Sequence, residues 1–271
     1  LDKETKRAFK LAAQQQRLNI MPSTTNVLES AADIKKTVPV DCACVIYGDA
    51  YAWQYVERLY SMLSRHITAG IRLHVYTEAD RPVPAPMIKH ALTEWSITEK
   101  KRSWWYKMQL FNTEHHAGPL LYFDLDTVIT QNIDWICARS LNYFWAVRDF
   151  KYLWRPTHNS INSSIMWWNT EKYAYIWEKF KQQDLTQIMK IYHGDQDYIT
   201  SVTLNDHRFF DTERIKSWRW QCLNGGYDFR KRRYQLPETD TQISALTSVM
   251  VFHGHPKPHE ITDQKIIAHW R

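Results

Sequence analysis

The sequence predicts an α/β fold: a mixed, mostly parallel sheet flanked by helices in a single domain. Two observations carry that prediction. Short apolar runs alternate with segments of helical periodicity, the order produced by parallel strands joined through crossover helices. The composition is also globular. Of 271 residues, 44% are hydrophobic and 24% charged, with 7 Gly and 10 Pro, which excludes disordered, collagen-like and low-complexity chains.

In chain order, residues 1–38 are polar and broken by Pro-Ser-Thr-Thr-Asn at 22–26. They read as an N-terminal helical appendage to a domain spanning 39–271. The first eighteen residues are amphipathic and rich in Gln and Lys, and they lack the apolar core of a signal peptide. Such a helix reads as a solvated face, with a peripheral membrane contact as the alternative. Residues 42–47 (CACVIY) form a short apolar run, as a buried parallel strand should. Gly48-Asp49 turns the chain. Residues 52–66 carry Val56, Leu59, Tyr60 and Leu63 at helical spacing. A strand is expected at 71–76, a polar loop after it, a helix at 103–116, and a strand at 119–123 that ends in Asp124-Leu125-Asp126. Ligands of such sheets bind beyond the carboxyl ends of strands. Here those ends carry Gly48-Asp49, Thr77-Glu78 and the Asp pair. No apolar run approaches the roughly 18–20 residues of a transmembrane helix. Cys42, Cys44, Cys137 and Cys222 form no CxxC pair and read as core residues of a reducing, cytoplasmic protein.

Asp124 and Asp126, two apart on an extended chain, point the same way. Two carboxylates aimed at one point repel unless positive charge sits between them. Hard oxygen ligands suit Mn²⁺ or Mg²⁺, and such ions serve phosphate groups. The plainer alternative is a solvated pair. Residues 249–260 (VMVFHGHPKPHE) add His253 and His255 as metal ligands, Gly254 for close backbone approach and Lys257 as a phosphate charge, or simply a His-rich loop. HGDQDY at 193–198 places Asp195 and Gln196 at a helix start, where Asp195 could also serve as an N-cap. Asn162, Ser163 and Ser164 form a polar entrance to a buried run. The excess of 35 basic over 29 acidic residues favours an anionic partner without diagnosing nucleic acid. The 13 Trp offer stacking surfaces for sugars or bases, or an aromatic core. In 216–234, Trp218 and Trp220 would share a face if extended. Gly225-Gly226 and the run from Arg230 to Arg233 follow, which fits a strand with two core tryptophans and a solvated basic turn, or a mobile stacking platform or lid.

In order and spacing, these segments resemble the retaining GT-A-fold glycosyltransferases, family 8 in particular. The likeness is carried by YGDAYA after a strand, a basic residue before the Asp pair, LYFDLDTVI, NSSIMWWN, GDQD and HGHPKP. The resemblance implies a Rossmann-like GT-A sheet and transfer of a sugar from a nucleotide diphosphate, a uridine diphosphate sugar, with retention of configuration. Asp124 and Asp126 fall on the metal-binding DxD. Tyr47, Asp49 and Tyr51 lie on the donor side, with the base stacked near Tyr47 or Tyr51. Lys107, Asp149, Asn162, Gly254 and Lys257 contact the donor, and Asp195 and Gln196 lie beside the anomeric carbon. Val251 and His259 replace a His and a Trp of the family's closing pattern. His253 therefore becomes the substitute third metal ligand, with His255 second. The implied acceptor is a saccharide or glycolipid, with a modified base in DNA as the alternative. The rival activities are another metal-dependent phosphate enzyme, such as a nucleotidyltransferase, and a non-enzymatic carbohydrate- or nucleic-acid-binding module.

Overall fold

The structure, a computed structural model, describes residues 38–95, 100–223, 227–228, 233–234 and 241–271. The expected appendage up to residue 37, Gly225-Gly226 and Arg230-Lys231-Arg232 lie outside the described residues. Strand β1 (Val40–Val45) starts two residues earlier than its apolar run and ends two earlier, leaving Ile46 and Tyr47 beyond its carboxyl end. Helix α1 (Gln54–His66) buries Tyr55, Val56, Leu59, Met62 and Leu63. Strands β2 (Ile71–Thr77) and β3 (Ile88–Ala91) follow. The helix expected at 103–116 is a 3₁₀ helix, Lys100–Phe111. From Trp105 to Phe111 it is buried on every side, so no apolar stripe selects the 3.6-residue repeat. Strand β4 (Pro119–Phe123) leads through Asp124-Leu125-Asp126 into β5 (Thr127–Ile129).

Beyond β5 come α2 (Asp134–Cys137), β6 (Phe144–Arg148), β7 (Ile161–Asn169), α3 (Tyr175–Lys181), α4 (Leu185–Ile191) and α5 (Asp195–Val202). The chain continues through β8 (His207–Phe209), β9 (Ile215–Ser217), the short pair β10 (Tyr227–Asp228) and β11 (Arg233–Tyr234), β12 (Val249–Val251) and α6 (Gln264–Ile267). The central sheet has seven strands in the order β3-β2-β1-β4-β7-β6-β8. Only β7 runs antiparallel to its neighbours. From β1 the order proceeds to β2 on one side and β4 on the other. Their carboxyl ends therefore flank a switch point, where doubly wound sheets open a ligand crevice.

Alternation along β1 divides the core. Cys42 and Cys44 pack on one face with Val56, Leu59 and Phe123. Ala43 packs on the other with Tyr76, Tyr122 and Trp168. A second sheet, β5-β12-β9, pairs Val251 with Thr127 and brings the C-terminal segment beside the Asp pair. The Phe252 amide donates to the Asp126 carbonyl at 3.0 Å. All four cysteines are free, and three are buried. Among the described residues, no helix is long and apolar enough to cross a membrane.

Candidate active site

A cleft of about 360 Å³ opens at the switch point, within the size range of small-ligand sites. Its floor holds three carboxylates and two ammonium groups. Lys107 Nζ stands 2.7 Å from Asp124 Oδ1 and 3.7 Å from Asp195 Oδ2. It also donates to Ser163 Oγ at 3.2 Å. Ser163 in turn donates to Asp195 Oδ2 at 2.6 Å, and Tyr122 Oη donates to Asp124 Oδ1 at 2.6 Å. Asp126 accepts from Tyr51 Oη at 2.9 Å and pairs with the Lys257 ammonium.

The elements explain this convergence. Tyr122 and Asp124 are two apart on extended chain and share a side. Trp104 and Lys107 are three apart on the 3₁₀ helix, where such residues eclipse, and both line the cleft. Asp195 opens α5, yet Gly194 occupies the cap position. The Asp195 carboxylate goes to Ser163 and Lys107 instead of serving as the N-cap. Gly194 is needed for space, because a Cβ there would sit 3.1 Å from Trp104 Nε1. Gly254 is needed for conformation: its φ is +76°, and a Cβ would meet Arg219 Nη1 at 2.8 Å.

Burial shapes the charges. It pushes the Asp126 carboxyl above the usual range, with Asp124 adding to it and Lys257 opposing. Burial raises Asp195 as well, against Lys107. Burial alone would lower the Lys107 ammonium, but Asp124 and then Asp195 hold it above its ordinary value.

Several expected donor residues meet the cleft. Tyr47, Tyr51, Lys107, Asn162, Gln196 and Gly254 line it, and Lys257 reaches it through Asp126. Tyr47 is stacked on Tyr106, ring centroids 4.0 Å apart. Tyr51 is a hydrogen-bond donor to Asp126, not a free stacking ring. Asp149 is buried and touches the cleft only through Gln196 Nε2, at 3.5 Å. Asp49 is exposed on the turn and does not line the cleft. That turn is held from β2, where Glu78 Oε1 accepts from the Gly48 amide at 2.5 Å and Arg81 donates to the Gly48 carbonyl at 2.8 Å.

The substitute metal ligand departs from expectation. His253 lines the cleft, but β12 has already ended and its Nε2 lies 2.7 Å from Ser217 Oγ. Its ring stacks on Phe150. Asp124, Asp126 and His253 do not gather their ligand atoms, since among the described residues the convergent trio is Asp41, His74 and His116. His255 is exposed and faces Glu260 at 3.0 Å. Trp218 and Trp220 do not share a face either, because Trp218–Cys222 winds as a π-type turn. Trp218 is a core ring stacked on Phe252. Trp220 packs edge-on against His253 and Trp154 at the cleft's rim. Tyr122, Trp104 and His193 are cleft residues the motifs did not single out. The first two could have been found from their two- and three-residue offsets, and His193 from its place beside GDQD.

No family model and no curated protein matches the sequence. Solved structures do. An active-site mutant of the galactosyltransferase LgtC superposes with a TM-score of 0.55 at 11% identity, over 84% of this chain and 93% of that one. The glycosyltransferase GlyE of Streptococcus pneumoniae TIGR4 gives 0.60 at 14%, over 86% and 59%. The bifunctional glycosyltransferase WbbM gives 0.56 at 13%, over 98% and 57%. The chain thus spans less than two thirds of GlyE and of WbbM. At these identities the likeness carries the fold, and the fold this chain shares with them is that of the GT-A glycosyltransferases.

Proposed function

We propose that the protein is a metal-dependent glycosyltransferase that moves a sugar from a uridine diphosphate donor to an acceptor hydroxyl, with retention of configuration. The observation that carries this reading is the charge count on the cleft floor: three carboxylates, two of them fully buried, share two ammonium groups. The excess negative charge, aimed into a ligand-sized cleft at a switch point, fits a divalent cation. Asp124 and Asp126 are the residues that would hold it, with all-oxygen donors suited to Mn²⁺ or Mg²⁺. When bound, such an ion neutralises charge on a diphosphate leaving group.

The chain's own residues do the rest. Lys257, on the flank of Asp126, adds a cation to the leaving phosphate. Lys107 holds Asp124 and Asp195 in place. Gln196 and Asp195 border the sugar, and Trp104 and Tyr47 wall the cleft with apolar surface. Retention and the uridine base rest on the motif resemblance. The acceptor class that goes with it is a saccharide or glycolipid.

Calorimetric titration with uridine diphosphate sugars, with and without Mn²⁺, tests the reading. Donor binding is expected to tighten at least tenfold with the ion, and prolonged incubation to release free sugar. Equal affinity in EDTA overturns metal dependence. Release of pyrophosphate from a nucleoside triphosphate in place of donor turnover overturns the transferase.

A further inference from the structure

A second cluster lies along β1, β2 and β3 and beside the start of β4. Asp41 opens β1, His74 lies within β2, His90 within β3, and His116 precedes β4. His74 Nε2 lies 3.0 Å from Asp41 Oδ1, and since a carboxylate only accepts, that nitrogen carries the proton. His74 Nδ1 lies 2.8 Å from His90 Nε2 and so accepts from it. His116 Nε2 donates to the Pro119 carbonyl at 3.1 Å and is 4.0 Å from Asp41 Oδ2, and its ring meets that of His74 edge-on at 4.9 Å. One ligand atom each from Asp41, His74 and His116 lies within 4.8 Å of the other two. His74 pairs with Ala43, two residues, about 7 Å, short of Val45 at the cleft, and none of Asp41, His74 and His116 lines that cleft, so this cluster is separate from the Asp pair.

We propose that Asp41, His74 and His116 form a zinc site that ties β1 and β2 to the segment preceding β4. Two imidazoles and a carboxylate are a zinc donor set, and they select against Mg²⁺ and Ca²⁺. Ligand atoms around a tetrahedral ion of that size stand about 3.3 Å apart. The cluster closes to that spacing by side-chain shifts on the order of 1 Å, without moving a strand.

The supporting contacts are built in. Arg72 grips both Asp41 oxygens, each at 2.6 Å, and fixes the carboxylate plane. Its positive charge opposes a cation, but half of the side chain is in water, which screens it. Asp41 keeps lone pairs for the ion. The His74–His90 contact solves the proton problem. For His74 Nε2 to bind metal, its proton must leave. Moved to Nδ1, it donates to His90 Nε2, whose own proton then sits on His90 Nδ1. Both rings stay neutral; His116 moves its own Nε2 proton to Nδ1 and gives up the Pro119 carbonyl, so no net proton is released. His90 is thus a positioning residue, setting the tautomer of a ligand it touches.

The test is titration of the full chain with Co²⁺ as a spectroscopic stand-in for Zn²⁺, with Zn²⁺ then displacing it. One equivalent with the intense visible absorption of a tetrahedral N/O site is expected, unaffected by millimolar Mg²⁺ and retained in Asp124→Asn/Asp126→Asn. His74→Gln or His116→Gln should weaken binding at least a hundredfold, and His90→Ala about 10–100-fold. His116 lies outside the strands, so His116→Gln carries the test if His74→Gln fails to fold. Zn²⁺ should also shield His116 of the unmodified protein from diethyl pyrocarbonate. A cobalt spectrum unchanged in His116→Gln, one lost in the Asp124/Asp126 variant, or no stoichiometric binding overturns the proposal.

Discussion

The two ends of β1 and β4 gather charged and polar side chains in opposite ways. At the carboxyl ends, Asp124, Asp126 and Asp195 face Lys107 and Lys257 around an open cleft. Further back along β1, Asp41 sits among imidazoles. Ammonium groups compensate carboxylates but cannot ligate a metal, so under the proposed function the cleft holds charge for an incoming anion and its cation. Imidazoles ligate, so under the further inference an ion at Asp41 would serve the fold. On these two readings one sheet carries a site for chemistry and a site for bracing.

The sharpest way to break this comparison is to exchange the consequences. Asp124→Asn or Asp126→Asn should lower transfer on the order of 10²-fold or more, by analogy with losing one group that stabilises a leaving oxyanion. Asp41→Asn should leave kcat/KM within about twofold. Circular dichroism confirms folding, and equal losses at the two ends would erase the distinction. A smaller effect separates the rim from the core. Trp220→Ala should raise the acceptor KM roughly two- to tenfold, the worth of one aromatic contact, with the donor Kd unchanged. Trp218→Ala should instead lower the denaturation midpoint. Matching effects of the two variants on acceptor KM would remove Trp220 from the acceptor side.

The smallest expected effect concerns the turn beside the cleft. Burial alone would raise the Glu78 carboxyl, but Arg81, the Gly48 amide and the Thr77 hydroxyl outweigh it and hold it at about 2. A depressed value means stability that is full above the ordinary carboxylate range, near 4.5, and lost as pH falls from there towards 2. The stability gap between the natural protein and Glu78→Gln should therefore shrink on acidification from pH 6 to 3. For a partly exposed pair it amounts to about 1 kcal/mol or less. A gap that widens in acid would refute the role of Glu78.

What the sequence disclosed depended on contiguity. Asp124-Leu125-Asp126 and Gly194-Asp195-Gln196 each sit on one element, so spacing and resemblance marked them, and both lie on the cleft. Where a backbone changed direction, pattern failed. Periodicity through Val251 and His253 assumed a continuing strand, but β12 stops at Val251 and the chain turns at Gly254, sending the imidazole to Ser217. The Trp218–Trp220 alternation assumed extended chain and met a π-type turn. Asp49 went with its motif on paper and points into solvent. The histidine cluster was invisible for a different reason. His74 and His90 are 16 residues apart and His74 and Asp41 33 apart, and only strand pairing brings them together.

The Asp126–Lys257 pair has a consequence for how the protein is made. The partners are 131 residues apart in the chain. At roughly 5–20 residues per second, the ribosome needs about 7–26 s after Asp126 to deliver its lysine. Through that interval the first strands of the sheet can pair while the cleft still lacks one of its two ammonium groups and the β12 strand that walls it. The cleft of a nascent chain is therefore unfinished until Lys257 has been made.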